Sequence, residues 1–208
     1  MQIRWYGQSA FQVDDRVFVD PFKPIEREGW QFDYPAIEGV SADLLLVTHE
    51  HGDHNNVGAI AGEPRTIRST AGTFDDVVAI ASEHDDVAGT RRGPNTIFRF
   101  ELGGASICHL GDLGQPALRP EQRAAIGDVD ILFLPVGDGP TVGGERAAAI
   151  VQELAPRLVV PMHYRTERLN FLDPPDAFLE ALGAKVTELE TSDFDASGYD
   201  GVVLPKAP

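Results

Sequence analysis

The sequence predicts a layered α/β protein with two facing sheets and helices on their outer sides. Alternating or continuous short apolar runs, typical of half-buried and fully buried strands, recur in both halves of the chain. Helix-like segments follow strands in each half. The length of 208 residues suffices for one domain with a substantial core, so we expect residues 1–208 to form a single domain.

The first elements are strands. Residues 1–21 combine alternating and β-branched residues with turn-forming Gly7 and an acidic pair, which predicts a β-meander. Residues 21–40 contain three prolines and several aromatic residues and predict a loop. Two interpretations of its aromatic side chains stay open: they pack the loop onto the core, or they overhang a site.

The remaining elements are predicted from the spacing of apolar residues and from the turn-forming residues that bound each segment. Strands are expected at residues 44–47, 64–67, 79–83, 97–102, 105–110, 130–136, 158–162 and 201–204. Helices are expected at residues 57–61, 71–79, 121–126, 145–154 and 176–182.

The chain is strongly acidic. It has 17 Lys and Arg against 33 Asp and Glu, a formal net charge of -16, so nucleic acid is a poor partner. No apolar run approaches the roughly 20 residues needed to span a bilayer, and no leader-like segment opens the chain. We therefore expect a cytoplasmic protein that acts on a small molecule without a membrane, and nothing in the sequence specifies an oligomeric state.

Cys108 is the single cysteine and excludes an internal disulfide bond. It lies in an apolar strand-like run, so a buried structural role is favoured over a reactive one.

Residues 44–56 hold the most informative pattern, because three of the six histidines follow directly after an apolar run. In extended chain His49 and His51 share a face. Gly52 permits a sharp turn, after which Asp53 and His54 can face a second position. Imidazole and carboxylate ligands suit zinc and also iron, manganese or nickel, so the spacing predicts two metal positions. A histidine-rich surface turn is the alternative.

The segment His49-Glu50-His51-Gly52-Asp53-His54 resembles the HxHxDH signature of the metallo-β-lactamase superfamily. Further family-like landmarks follow the expected order along nearly the whole chain: Asp20, His84, Asp112 and His163. The subgroup that the chain resembles contains small, largely uncharacterised metal-dependent hydrolases and ascorbate-phosphate lactonase-like proteins. The resemblance implies a four-layer αββα sandwich, with two facing mixed sheets flanked by helices.

The resemblance also implies a ligand set for two divalent cations, with zinc expected first. One cation would take His49, His51 and His84, the other would take Asp53, His54 and His163, and Asp112 would bridge them. Asp53 and Asp112 are the expected catalytic carboxylates, because Asp53 would also orient the water and Asp112 would offset the repulsion between the cations.

Three more residues are expected next to the ligands or in the pocket. Asp20 ends a strand and matches the family aspartate that supports the histidine loop, so its role is structural. His109 competes with His84 for one coordination place and is interpreted as a supporting or pocket residue. Tyr164 either hydrogen-bonds substrate or packs as an ordinary aromatic side chain.

The implied activity is hydrolysis of an ester, lactone, amide or phosphodiester by a hydroxide that bridges the metals. An imidazole at position 51 favours hydrolysis, because diiron oxygen-reducing relatives carry glutamate there. A mononuclear iron thiol-dependent oxygenase and a non-catalytic metal-binding protein are the alternatives. Arg91 and Arg92 either attract an anionic substrate or balance nearby carboxylates, and the glycine-rich residues 137–144 are interpreted as a pocket rim.

Overall fold

Two mixed β-sheets face each other in the computed structural model, which describes residues 1–208. The first sheet has the spatial order β15 (Asp193–Asp195), β1 (Gln2–Gly7), β2 (Ala10–Val13), β3 (Val17–Val19), β5 (Leu44–Val47) and β7 (Arg65–Arg68). The second has the order β14 (Val186–Glu188), β16 (Gly201–Leu204), β13 (Leu158–Met162), β12 (Ile131–Pro135), β11 (Ala105–His109), β10 (Pro94–Leu102), β9 (Val77–Glu83) and β8 (Gly72–Phe74). Two short strands, β4 (Val40–Ser41) and β6 (Ile60–Ala61), pair separately.

The main core fills the space between the sheets. In β1 the side chains alternate, so that Ile3 and Trp5 are buried while Gln2 and Arg4 are exposed. Aromatic side chains meet across the gap, with the ring centroids of Phe11 and Phe133 4.5 Å apart. Continuous apolar strands such as β12 are buried along their whole length, which explains why their sequences do not alternate.

Three helices lie on the eight-stranded sheet: α1 (Pro120–Ile126), α2 (Gly144–Leu154) and α3 (Asp176–Leu182). Helices α1 and α2 connect the parallel strands β11, β12 and β13, as parallel strands require a crossover. The apolar face of α2 belongs to the main core through residues such as Ile150 and Leu154. No helix is long and apolar enough to cross a membrane.

The outer face of the six-stranded sheet is covered differently from the prediction. Phe18 and Leu45 point away from the main core and form a second cluster with Phe22, Phe32 and Tyr34 from the loop of residues 21–40. This layer contains irregular chain, the short strands β4 and β6 and one 3-10 turn, but no α-helix. The loop of residues 21–40 contains three prolines, which prevent a regular helix. Its aromatic side chains are nevertheless buried.

The predicted helix at residues 71–79 is wrong. The structure has the strands β8 and β9 there, joined at Asp75, which adopts a left-handed backbone with φ 51°. Strand β9 pairs with β10 from Val77 to Glu83, and this ladder outweighs the weak helical pattern of its alanines. The predicted helix at residues 57–61 is likewise reduced to a 3-10 turn at Val57–Ala59, followed by β6.

Strand β15 was missed because it has three residues and one apolar side chain, Phe194, which pairs opposite Ile3 of β1. Cys108 lies fully buried in β11, and burial raises the pKa of its thiol to about 12. The buried structural interpretation of Cys108 therefore fits the structure.

Candidate metal centre

The chemically active side chains follow the ends of strands from both sheets. The histidine-rich segment follows β5 of the six-stranded sheet, whereas His84 follows β9, Asp112 follows β11 and His163 follows β13 of the other sheet. The rigid strands therefore place residues that are far apart in sequence in one cluster. His49 and His163, which are 114 positions apart, both belong to it.

Potential ligand atoms converge in three overlapping groups. In each group the nitrogen or carboxylate oxygen atoms lie within 4.8 Å of one another. The groups are His49, His51 and His84; His49, His54 and Asp112; and Asp53, His54 and His163. The first and third coincide with the two ligand sets expected from the sequence, and the second shares His49 with the first and His54 with the third and adds Asp112.

Asp112 lies at the middle of this cluster and is almost completely buried. Its Oδ2 atom is 3.1 Å from Nε2 of His163, 3.2 Å from Nε2 of His84 and 3.3 Å from Nε2 of His54. Burial alone would raise the pKa of Asp112, but the facing imidazoles of His163 and His54 outweigh it and hold the pKa well below its usual range. The position therefore carries an ionised carboxylate.

The imidazoles differ in protonation. Burial and the neighbouring His54 lower the pKa of His49, and burial and His84 lower that of His51, so both rings are neutral. For His54 burial also opposes charge, but Asp112, Asp53 and Asp20 outweigh it and raise the pKa. A cation at this place would compete with that proton, because a ligating imidazole must be neutral.

The donor set fits divalent cations. Nε2 of His54 is completely buried, has no hydrogen-bond partner and faces Asp53 and Asp112 at 3.6 Å and 3.3 Å. Nε2 of His49 and Nδ1 of His51 are only 3.0 Å apart, a spacing that also suits two ligands on one ion. Five imidazoles and two carboxylates without a thiolate are the ligands of zinc and similar cations.

Asp20 lies beneath the histidine segment and is hydrogen-bonded to it. It is fully buried, and its carboxylate accepts hydrogen bonds from the backbone N–H and hydroxyl of Thr48 and from Nδ1 of His54, at 2.7 to 2.9 Å. The bond to Nδ1 leaves the Nε2 lone pair of His54 directed at the cluster. Asp20 itself adopts φ 50°, an uncommon conformation that asparagine and aspartate tolerate better than other residues.

His84, and not His109, has a ring nitrogen available to the cluster. Nδ1 of His84 donates to the carbonyl oxygen of Pro140 at 3.0 Å, which leaves Nε2 directed at Asp112. Both nitrogens of His109 are used, because Nε2 donates to the carbonyl of Ser9 and Nδ1 accepts from the N–H of Gly111. This geometry favours His109 as a supporting residue.

Tyr164 packs in the main core instead of lining the metal cavity. Its ring lies 5.7 Å from that of Trp5, and burial raises the pKa of its hydroxyl. Of the two interpretations left open for Tyr164, the structure supports the packed aromatic side chain.

The turn between β1 and β2 contacts the centre, a role that no sequence pattern indicated. Gln8, buried and with φ 53°, donates from Nε2 to Oδ2 of Asp53 at 2.9 Å, and its carbonyl accepts from the N–H of His163. The hydroxyl of Ser9 lies 3.4 Å from Oδ1 of Asp112. A polar pair after a glycine is a common turn pattern, so only long-range contacts identify its function.

Gly114 allows the loop after Asp112 to approach His84. A Cβ atom at position 114 would lie 2.4 Å from the carbonyl carbon of His84 and 2.5 Å from the N–H nitrogen of Asp85. Both contacts involve backbone, so a larger residue must displace the segment that carries His84.

We expect Gly114→Ala to lower the free energy of unfolding by about 1 to 3 kcal/mol, and to weaken metal binding because His84 moves. Gly58→Ala is the matched control, since a Cβ atom there meets nothing within 4 Å. Urea unfolding and zinc titration measure both effects. Equal stability and equal zinc affinity of the two variants would contradict this prediction.

A cavity of about 340 Å³ opens onto the centre. Its floor includes His51, Asp53, His84, Asp112 and His163, and its rim includes the backbone of Gly139 and Pro140. The cavity is within the size range of small-molecule sites. Residues 137–144 thus contribute a rim to the cavity, as interpreted from the sequence.

Comparisons with known proteins agree with this geometry. The family model described as a β-lactamase superfamily domain matches residues 2–163. A UPF0173 metal-dependent hydrolase of Thermococcus kodakarensis is 32% identical over 89% of this chain and 93% of its own, and one from Methylobacterium nodulans is 31% identical over 88% and 92%.

Solved structures are similar as well. A metallo-β-lactamase superfamily protein from Thermotoga maritima has a TM-score of 0.76 at 28% identity, with 98% of this chain and 97% of that chain covered. A metallo hydrolase from Ignicoccus hospitalis has a TM-score of 0.61 at 17% identity over 99% and 95%, which shows the fold.

The matched fold and the overlapping His and Asp groups define the class: the chain belongs to the β-lactamase superfamily and has the metallo-β-lactamase fold. Within it, the chain belongs to the family of UPF0173 metal-dependent hydrolases. The fold class and the family expected from the sequence are both confirmed.

Proposed function

We propose that residues 1–208 form one metallo-β-lactamase-like domain that hydrolyses a small molecule with two divalent cations. The observation that carries this proposal is the convergence of the ligand atoms of seven residues into overlapping groups around Asp112. A purely structural zinc site needs four closed ligands, whereas here seven ligand-type residues converge and five of them line an open cavity, which favours catalysis.

The ligand sets follow the three groups. His49, His51 and His84 would hold one cation and Asp53, His54 and His163 the other, with Asp112 placed beside both sets. When bound, divalent cations there would supply an acidified water molecule and stabilisation of negative charge on the substrate. Zinc is the cation we propose, although this donor set also accepts manganese, iron or nickel.

The protein's own residues position the reactants. Asp53 is half-buried, faces the cavity and is held by Gln8, so its carboxylate orients the attacking water and accepts its proton. Asp112 offsets the repulsion between the two cations, while Asp20 and the Pro140 carbonyl fix the rings of His54 and His84. The bond attacked is that of an ester, lactone, amide or phosphodiester.

Removal of metal is the direct test. We expect the zinc-loaded protein to bind two equivalents of zinc and to hydrolyse at least one member of a panel of ester, lactone, amide and phosphodiester probes. Chelation should lower that rate by at least about a hundredfold, and zinc should restore it, because no serine, threonine, cysteine or lysine lines the cavity.

Matched variants test the ligand assignment. His84→Ala should lose one equivalent of zinc, whereas His109→Ala should retain both. Hydrolysis that persists in metal-free protein would overturn the proposal. Oxygen uptake with a thiol and one bound iron would instead identify the oxygenase, and metal binding without turnover of any probe would favour the non-catalytic alternative.

A further inference from the structure

Arg92 places a cationic side chain at the cavity that opens onto the metal centre. It lines the same cavity as His51, His84 and Asp112. Several other arginines form ion pairs, such as Arg119 with Glu83 and Arg157 with Asp200, whereas Arg92 forms none and its guanidinium donates no hydrogen bond to the protein. Although the chain has a net charge of -16, this arginine at the metal cavity has no acidic partner.

The backbone of Arg92 is fixed by Asp85. The Asp85 carboxylate accepts hydrogen bonds from the N–H groups of Val87, Gly89, Arg91 and Arg92 at 2.7 to 3.0 Å. The Asp85 carboxylate is thus committed to the backbone, and it holds the loop of residues 85–92 in place.

The cavity also has an apolar wall. Ile25, Trp30 and Phe171 line it, and the rings of Trp30 and Phe171 stack with centroids 4.0 Å apart. The two loops that carry them are joined by a bridge between Phe32 and Leu169 and by backbone and side-chain hydrogen bonds. Trp30 remains 37% exposed, one of only two large hydrophobic side chains with this exposure. The guanidinium of Arg27 lies over the Trp30 ring, 4.4 Å from its centroid, so the wall is preformed and the Trp30 indole faces a ligand with its edge.

We propose that the substrate carries an anionic group that pairs with Arg92 and an apolar part that packs against Ile25, Trp30 and Phe171. This inference rests on the proposed hydrolase function and narrows its substrate to small organic acids or phosphates. Arginine suits both anions, because its planar guanidinium donates two parallel hydrogen bonds to a carboxylate or a phosphate. The scissile bond then lies between the apolar wall and the anion, above the ligand groups.

Calorimetric titration of the zinc-loaded protein tests the inference without turnover. The probes are benzoate, phenylphosphonate, the neutral isostere benzamide and, as an anion without an aromatic ring, acetate. We expect both anions to bind at least about tenfold more tightly than benzamide. Arg92→Gln should remove about tenfold of the anion affinity, and Trp30→Ala should weaken all three aromatic probes but not acetate. Arg91→Gln is the matched control, since Arg91 lines only the neighbouring cleft and should leave binding unchanged.

The outcomes separate this inference from the proposed function. Tighter binding of phenylphosphonate assigns a phosphate group, and tighter binding of benzoate assigns a carboxylate, and either supports the inference. Equal anion affinity in Arg92→Gln and the unchanged protein would show that the anion does not use Arg92 and would overturn it, even with two zinc ions bound. If the protein does not bind zinc, the proposed function is contradicted. If the zinc-free protein still binds the anions and loses this binding in Arg92→Gln, the role of Arg92 is supported all the same.

Discussion

Replacement of Asp112 by asparagine is expected to abolish nearly all hydrolysis, with a fall in kcat/KM on the order of 10³-fold. Oδ2 of Asp112 faces three imidazole nitrogens at 3.1 to 3.3 Å, so the substitution removes the charge that joins the two ligand sets. An amide nitrogen in place of Oδ2 would also be repelled by a cation. We expect the bound zinc to fall from two equivalents to one or fewer, measured by elemental analysis alongside steady-state kinetics.

Asp128→Asn is the control for this prediction, since Asp128 is an exposed aspartate remote from the cavity. It should retain full zinc content and activity. An Asp112→Asn variant that keeps two zinc ions and turns over normally would contradict the role of Asp112.

Replacement of Asp20 by asparagine is expected to lower the free energy of unfolding by about 2 to 3 kcal/mol and zinc affinity by about 10- to 100-fold. The Asp20 carboxylate accepts three hydrogen bonds, and asparagine has only one oxygen to accept them. Its NH₂ group would donate to Nδ1 of His54, which places the proton of that ring on Nε2. The nitrogen directed at the cluster would then have no lone pair for a metal.

Asp15→Asn is a matched control because Asp15 also adopts a left-handed backbone, with φ 53°, but is exposed. Urea unfolding and competition with a chromogenic chelator measure stability and affinity. If Asp20→Asn binds zinc as tightly as Asp15→Asn, the orientation of His54 does not depend on Asp20.

The strands were predictable where local pattern and final environment agree. Alternation in β1 and continuous apolar runs in β5, β12 and β13 reflect burial on one face or on both. Residues 71–79 were misassigned because Ala71, Ala79 and intervening residues carry no decisive period, and pairing of β9 with β10 determines the outcome. The layer outside the six-stranded sheet was not predicted, because it forms through tertiary packing of aromatic side chains from a loop.

The site was predictable to the extent that its residues lie close in sequence. The spacing of the histidines and the aspartate from His49 to His54 is enough to predict ligands there. His84, Asp112 and His163 were predicted only through the family resemblance, because they approach this segment only after folding. Nothing local marks Gln8 as a partner of Asp53 or Gly114 as a close neighbour of His84. Such contacts join distant parts of the chain, and sequence patterns do not record them.

Anomalous diffraction at the zinc edge, from crystals of protein loaded with zinc, tests the paired-cation centre most directly. Two peaks should appear on either side of the Asp112 carboxylate, one bounded by His49, His51 and His84 and the other by Asp53, His54 and His163. An absence of anomalous peaks at these side chains, with zinc bound elsewhere or not at all, would contradict the centre on which the proposed chemistry depends.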